Sequence, residues 1–247
     1  MPTLYIVGTP IGNLEDISLR ALRILGEVDF VLCEDTRVTS KLLSNYKIKT
    51  QTISCHQHSD QKKINEILDL LRSGKNLALV TDAGTPGISD PGGILVQAVI
   101  NEFDGKVNIE SVPGPSAVTA ALSISGIPTD KFVFMGFPPH KKGRQTFIRK
   151  IIESEFPVVV YESKHRIIKF LEELERETDI YNKEVEKAKI KNPKLKIKKA
   201  NLESVVIARE LSKMHETTYR GDFQKIKERI KENKDDQKGE FVVIIGK

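Results

Sequence analysis

Thr81-Asp82-Ala83-Gly84-Thr85-Pro86-Gly87-Ile88-Ser89-Asp90-Pro91-Gly92 decides how this chain is read. The residues before it, Leu77–Val80, form a short apolar run of the kind found in buried parallel strands. At its far end Asp90 is a helix N-cap and Pro91 suits a first helical position, so a helix runs from there towards Phe103. The unit is therefore strand, Gly/Pro-rich loop, helix. Working outward, Leu4–Val7, Phe30–Cys33 and Val107–Ile109 repeat the strand signature, and another strand ends near Cys55. Ile64, Ile67, Leu68 and Leu71 fall on one helix face between two of them. Such alternation predicts an α/β fold with a mainly parallel sheet covered on both faces.

The pattern breaks at Val112-Pro113-Gly114-Pro115-Ser116, where two prolines around a glycine suit a stiff turn and not a strand. A boundary here gives an N-terminal α/β domain over 1–114 and a C-terminal α/β domain with a mixed sheet over 115–247. The second half places strands near Phe132–Gly136, Pro157–Tyr161, Ser204–Ala208 and Glu240–Gly246. Ile167, Ile168, Leu171 and Leu174 mark one helix among them. The polar, lysine-rich segment 182–200, interrupted by Pro193, reads as an inserted hairpin or mobile loop.

The chain has 247 residues, 39% hydrophobic and 30% charged, the profile of a globular protein with a sizeable core. It has no apolar run long enough to span a bilayer. Met1–Pro10 reads as an immediate strand and not as a leader, so a cytoplasmic location is expected. Cys33 and Cys55 read as buried thiols. The net charge of +5 is concentrated, because 182–200 holds eight lysines against two glutamates. A second patch, His140 to Arg144 continuing to Arg149-Lys150, contains no acid. Basic patches suit phosphate backbones and also occur as plain solvated surface.

Three Gly/Pro-rich turns follow strands: Gly8-Thr9-Pro10-Ile11-Gly12, Thr81–Gly92, and Pro113–Ser116. Turns at the carboxyl ends of parallel strands line the crevice where ligands bind, and glycines let a ligand approach the backbone. Asp82 and Asp90 can accept hydrogen bonds from an amine or a ribose. Gly8 opens a G-x-x-x-G, which is neither the dinucleotide fingerprint nor a phosphate-binding loop. Cys55, His56 and His58 have no second ligand pair, so no metal site is expected. Glu34-Asp35-Thr36-Arg37 follows the second strand; Asp35 or Thr36 can cap the next helix, and the same cluster can face the crevice. With His56 and His58 it supplies candidates for positioning or deprotonating a hydroxyl.

LYIVGTPIGNLEDIS, CEDTR, TDAGTPGISDPG, VPGPSAVTAAL, GFPP with basic residues, YESKHR, IARELSK and KGEFVVIIG occur in this order over nearly the whole chain. Together they resemble the ribosomal RNA small subunit methyltransferase I family of the tetrapyrrole-methylase-like superfamily. Segment 182–200 departs from that pattern. The resemblance implies a homodimer of two-domain subunits with S-adenosylmethionine in a cleft between domains. It also implies 2′-O-methylation of a cytidine in the decoding region of 16S ribosomal RNA or of the small subunit. Carried over, the donor site uses Pro10, Ile11, Asp82, Gly84, Thr85, Ser116, Ala117, Tyr161 and Ala208.

Catalytic assignment rests on chemistry: Asp35 or Glu34 as proton acceptor, His56 next, and Arg37 holding a phosphate. Lys141, Lys142, Arg144 and Arg209 are expected to contact RNA, with Arg209 and Glu210 also able to pair. The rival expectations are a methyltransferase for a small acidic macrocycle and a non-catalytic ribosome-assembly module.

Overall fold

The computed structural model describes residues 1–55, 61–90, 92–192, 194, 196–200, 202 and 204–246. The chain divides into two compact units, Met1–Ser116 and Ala117–Lys247.

The first unit runs β1 (Thr3–Val7), α1 (Leu19–Glu27), β2 (Phe30–Cys33), α2 (Thr36–Asn45), β3 (Gln51–Ser54), α3 (Gln61–Arg72), β4 (Leu77–Leu79), α4 (Gly92–Phe103) and β5 (Asn108–Val112). The strands lie in the order β3-β2-β4-β1-β5, every pairing parallel. Alternate residues feed opposite faces, as the period of two requires. Val7, Val31, Cys33, Ala78 and Val80 pack with Ala21, Ile24, Leu25 and Leu43. Leu4, Leu32, Leu77 and Leu79 pack with Ile67, Leu71, Leu95 and Val99 on the other side. β5 extends beyond the apolar run that marks it in the sequence. Glu110 and Ser111 continue the ladder against Tyr5 and Ile6, and an edge strand tolerates polar residues.

The second unit runs α5 (Ala117–Ser123), β6 (Val133–Phe134), α6 (Arg144–Glu153), β7 (Val158–Ser163), α7 (Ile167–Lys191), β8 (Val205–Arg209), β9 (Thr217–Gly221), α8 (Phe223–Glu232) and β10 (Glu240–Ile245). Its sheet order is β6-β7-β10-β8-β9. Among the described residues only β6 and β7 pair in parallel, so the sheet is mixed. One face, built from Val158, Val160, Val205, Ile207, Phe241, Val243 and Ile245, packs on α6, α7 and α8. Strand β9 escapes sequence reading because Tyr219 is its one buried side chain.

Residues 182–191 are a correction. They continue α7 as helix, not as hairpin or loop, and Val185 is buried. Glu, Lys and Ala favour helix, and no proline or glycine intervenes before Pro193.

Within the first unit, Gly8 and Gly114 stand back to back. A Cβ on Gly8 would lie 2.8 Å from Gly114 Cα and N, and a Cβ on Gly114 would lie 2.8 Å from Gly8 O. Backbone cannot yield as a side chain does. Gly8→Ala and Gly114→Ala should each cost about 1–3 kcal/mol of stability. Gly26→Ala, inside α1 with open space around it, should instead gain about 0.5–1 kcal/mol. Denaturant unfolding of the three variants checks both signs.

Candidate functional site

Because β1 lies between β4 and β5, the turns that leave these three strands meet at one sheet edge. Thr9 N donates to Gly84 O at 2.9 Å, and Gly84 N donates to Thr9 O at 3.1 Å. The buried Thr9 hydroxyl donates to Thr81 O at 3.0 Å. Gly8 N reaches Val112 O at 3.1 Å, and Thr85 Oγ1 reaches Pro115 O at 3.4 Å. Pro10, Ile11, Gly84, Thr85 and Ser116 are thereby held on one frame. Asp90 closes the loop by accepting from Gly87 N and Gly92 N, both at 2.7 Å, at the start of α4. Pro91 lies outside the described residues.

Asp82 is exposed at the mouth of this frame. Gly84 has φ +88°, and a Cβ there would sit 3.5 Å from Ile11 Cγ2 and 3.7 Å from Pro115 O. A carboxylate beside a bare backbone next to an apolar side chain suits a ligand that joins amines or hydroxyls to an apolar body. The chemistry of these residues therefore fits a nucleoside-bearing methyl donor.

The Glu34–Arg37 cluster lies on the same edge, since β2 neighbours β4. Asp35 N donates to Asp82 Oδ1 at 3.3 Å. The Asp35 carboxylate caps α2 through Arg37 N at 2.8 Å and takes both Nε, at 3.0 Å, and Nη2, at 2.7 Å, of the Arg37 guanidinium. The Arg37 side chain, followed by its backbone N–H, holds the Asp35 carboxyl at about 2. Such a carboxylate is a weak proton acceptor at neutral pH. Glu34 is half-buried beside it. His56 and His58 lie outside the described residues. Cys33 and Cys55 are free thiols whose pKa burial pushes up, which removes both as nucleophiles. Among the described residues, no group of His, Cys, Asp and Glu could hold a metal ion.

In the second unit, Tyr161 and Ala208 both pair with Val242 across three adjacent strands. They share the sheet face opposite α6, α7 and α8. The Tyr161 ring meets Phe134 at 4.9 Å and Phe137 at 5.3 Å. Burial pushes its hydroxyl pKa up, and a hydrogen bond from the Val118 backbone at the start of α5 partly offsets this. Tyr161 thus meets the start of α5 and shares a sheet face with Ala208, with β10 between them.

Of the expected RNA contacts, Lys141 and Lys142 are exposed, but Arg144 and Arg209 are 5% and 7% exposed. Arg144 pairs with Glu173 at 2.6 Å, lies 3.7 Å from the buried Glu162 and donates to Pro139 O at 3.1 Å. Arg209 donates to Lys238 O, His215 O and Asp235 O at 2.7, 3.0 and 2.7 Å. Both guanidinium groups are buried inside the unit, so neither is presented to a nucleic acid. Glu210 pairs with Lys213 at 3.0 Å and not with Arg209.

Sequence reading passed over Glu162 and Arg166. Glu162 pairs with Arg166 at 2.9 Å, and Arg166 donates to Pro138 O at 3.0 Å. The two arginines thus fix the carbonyls that lead into His140–Lys142. The YESKHR motif carried this signal, with a glutamate inside a strand and an arginine four residues on.

The fold is that of the tetrapyrrole methylases. The family model for Tetrapyrrole (Corrin/Porphyrin) Methylases matches residues 3–227. A cobalt precorrin-4 methyltransferase of cobalamin biosynthesis superimposes with TM-score 0.63 at 19% identity, over 99% of this chain and 94% of that one. A uroporphyrin-III C-methyltransferase from Thermus thermophilus gives 0.61 at 16%, over 99% and 94%. At these identities the likeness speaks for the fold alone. Sequence relatives are more specific. Ribosomal RNA small subunit methyltransferase I of Thermotoga maritima is 39% identical over 99% of this chain and 98% of its own length. The protein of the same name from Vibrio cholerae is 41% identical over 99% of this chain and 77% of its own. The chain belongs to the ribosomal RNA small subunit methyltransferase I family, a family of methyltransferases.

Two outcomes follow from this geometry. Arg144→Met should cost about 3 kcal/mol, the low end for breaking a buried pair because Arg166 still faces Glu162. Lys141→Gln and Lys142→Gln should each stay within about 0.5 kcal/mol of the parent in urea unfolding.

Asp35 has a depressed folded pKa, so its contribution is present above the ordinary value of 3.8 and is lost as pH falls towards about 2. Between pH 4 and 2 the parent protein should therefore lose stability more steeply than Asp35→Asn, which keeps the cap without the charge. Parallel unfolding curves in that window would contradict the pairing.

Proposed function

We propose that this protein transfers a methyl group from S-adenosylmethionine to the 2′-hydroxyl of a cytidine in the decoding region of 16S ribosomal RNA. The observation that carries this reading is 39% identity over 99% of the chain to a ribosomal RNA small subunit methyltransferase I. The frame at the carboxyl edge of β1, β4 and β5 supports it.

S-adenosylmethionine, when bound, supplies an electrophilic methyl group on a sulfonium. In this reading Pro10, Ile11, Asp82, Gly84, Thr85 and Ser116 hold the donor, with Ala117, Tyr161 and Ala208 the further donor contacts that the family resemblance implies. Asp82 accepts from its amine or hydroxyl groups, and the bare backbone at Gly84 lets it lie close. Rigid alignment of nucleophile and methyl carries most of the acceleration in such a displacement. Glu34 takes the proton of the ribose hydroxyl, with His56 as the second candidate. Asp35 acts as the clamp on Arg37. It occupies the Nε and Nη2 edge of the guanidinium and leaves Nη1 for a phosphate of the substrate. Lys141 and Lys142 meet the RNA backbone on the loop held by Arg144 and Arg166. Among the described residues no helix is long and apolar enough to cross a membrane. A homodimer acting in the cytoplasm completes the reading.

The test uses the full-length protein with labelled donor on naked 16S RNA, on 30S subunits and on a uroporphyrinogen-type macrocycle, followed by mass-spectrometric mapping. Label is expected on one cytidine ribose. Label on a base, or on the macrocycle alone, would overturn the assignment. Asp82→Ala should weaken donor binding about 10–100-fold. Glu34→Gln should lower the single-turnover rate about 100-fold or more with donor affinity intact. If it does not and His56→Ala does, the proton acceptor is His56.

A further inference from the structure

Helix α7 does not end where the second unit's core ends. Val185 is its last buried residue, and the helix runs on to Lys191, about 9 Å further. The chain then returns, and Asn182 and Ala200 clasp each other at the base of the excursion. Asn182 Nδ2 donates to Ala200 O at 2.8 Å, and Ala200 N donates to Asn182 Oδ1 at 2.8 Å. Tyr181 Oη adds a bond to Lys198 O at 3.3 Å. Residues 182 and 200 are therefore already together. Among the described residues between them, Val185 is the one buried side chain.

That segment is an arm of one sign. Lys183, Lys187, Lys189, Lys191, Lys194, Lys196, Lys198 and Lys199 are all exposed. Its two acids are both paired: Glu184 with Arg149 of α6 at 2.6 Å, and Glu186 with Lys199 of the arm. Lys183, Lys187 and Lys191 recur every four residues, a row about 6 Å apart along one side of the helix. Lys189 and Lys191 in the last turn complement the helix C-terminal dipole and Lys199 serves Glu186, which accounts for three of the lysines and leaves the other five. Like charges crowded on an anchored arm repel one another, and a polyanion relieves that repulsion while releasing its own counterions.

We infer that the arm spanning 183–199 is a second RNA-backbone surface, which grips small-subunit ribosomal RNA away from the reacting nucleotide. This rests on the RNA reading above. The arm's cations are all lysines, and its one side-chain amide, Asn192, accepts from Lys194 N at 3.2 Å, so the arm contributes affinity and orientation, not sequence choice.

The experiment compares the parent with Lys187→Gln/Lys191→Gln/Lys196→Gln/Lys198→Gln, and with the same four positions changed to Arg. In vitro transcribed 16S RNA and unmodified 30S subunits are the probes. For the Gln variant KM for RNA should rise about tenfold or more, and the slope of log affinity against log salt should fall by about 3. Its kcat and donor affinity should stay within about twofold of the parent, and the Arg variant should regain the parent's KM, because it restores the charge. An unchanged KM and salt slope in the Gln variant, with the parent active on RNA, would overturn the arm's role and leave the enzyme's reading intact. RNA affinity retained while binding to phosphatidylglycerol vesicles is lost would assign the arm to a membrane surface instead. A parent that neither binds nor methylates RNA would overturn the RNA reading itself, and this inference with it.

Discussion

The contact on which the first unit's site depends is backbone against backbone. Gly8 and Gly114 touch where no side chain fits, and Thr9 and Gly84 exchange a reciprocal pair of hydrogen bonds one residue further on. Three separate turns thereby become one rigid surface. A ligand meeting this surface finds its polar partners already in place and loses little through their ordering. The prolines at positions 10, 86, 113 and 115 act in the same direction, by limiting the freedom of the turns before they meet. Asp82 then projects from the mouth of the frame without having to support it.

The Asp35–Arg37 pair shows how one carboxylate can serve several local needs at once. It caps α2 and orients a guanidinium that would otherwise sweep freely, while its own backbone N–H reaches Asp82. A group so employed has little proton affinity left, and this separates positioning from proton transfer within a cluster of adjacent acids. The second unit uses the same device in buried form. Glu162 draws in Arg166 and faces Arg144, and their remaining donors pin the carbonyls of Pro138 and Pro139. The exposed lysines that follow sit on a loop stiffened from beneath. A desolvated ion network of this kind contributes shape more than stability.

The sequence determined most of the architecture by itself. Short continuous apolar runs and Gly/Pro-rich turns are local signals, so the strands of the first unit, the loop after β4 and the cap at Asp90 were all legible. The motif order sufficed to identify the family. Tertiary structure decided which basic residues are available. Arg144 and Lys142 look alike in a string of letters, but one is drawn inward by carboxylates 18 and 29 residues away while the other stays in water. Charge pairing over such distances leaves no local periodicity to read. The same holds for Arg209, which three backbone carbonyls hold inside its unit, and for β9, an edge strand with a single buried side chain. For 182–200, composition announced the charge, but only the Asn182–Ala200 clasp and the continued helix showed that it is carried on an anchored arm. Local chemistry sets what a segment can become, and long-range pairing and desolvation decide which of its side chains still face a partner.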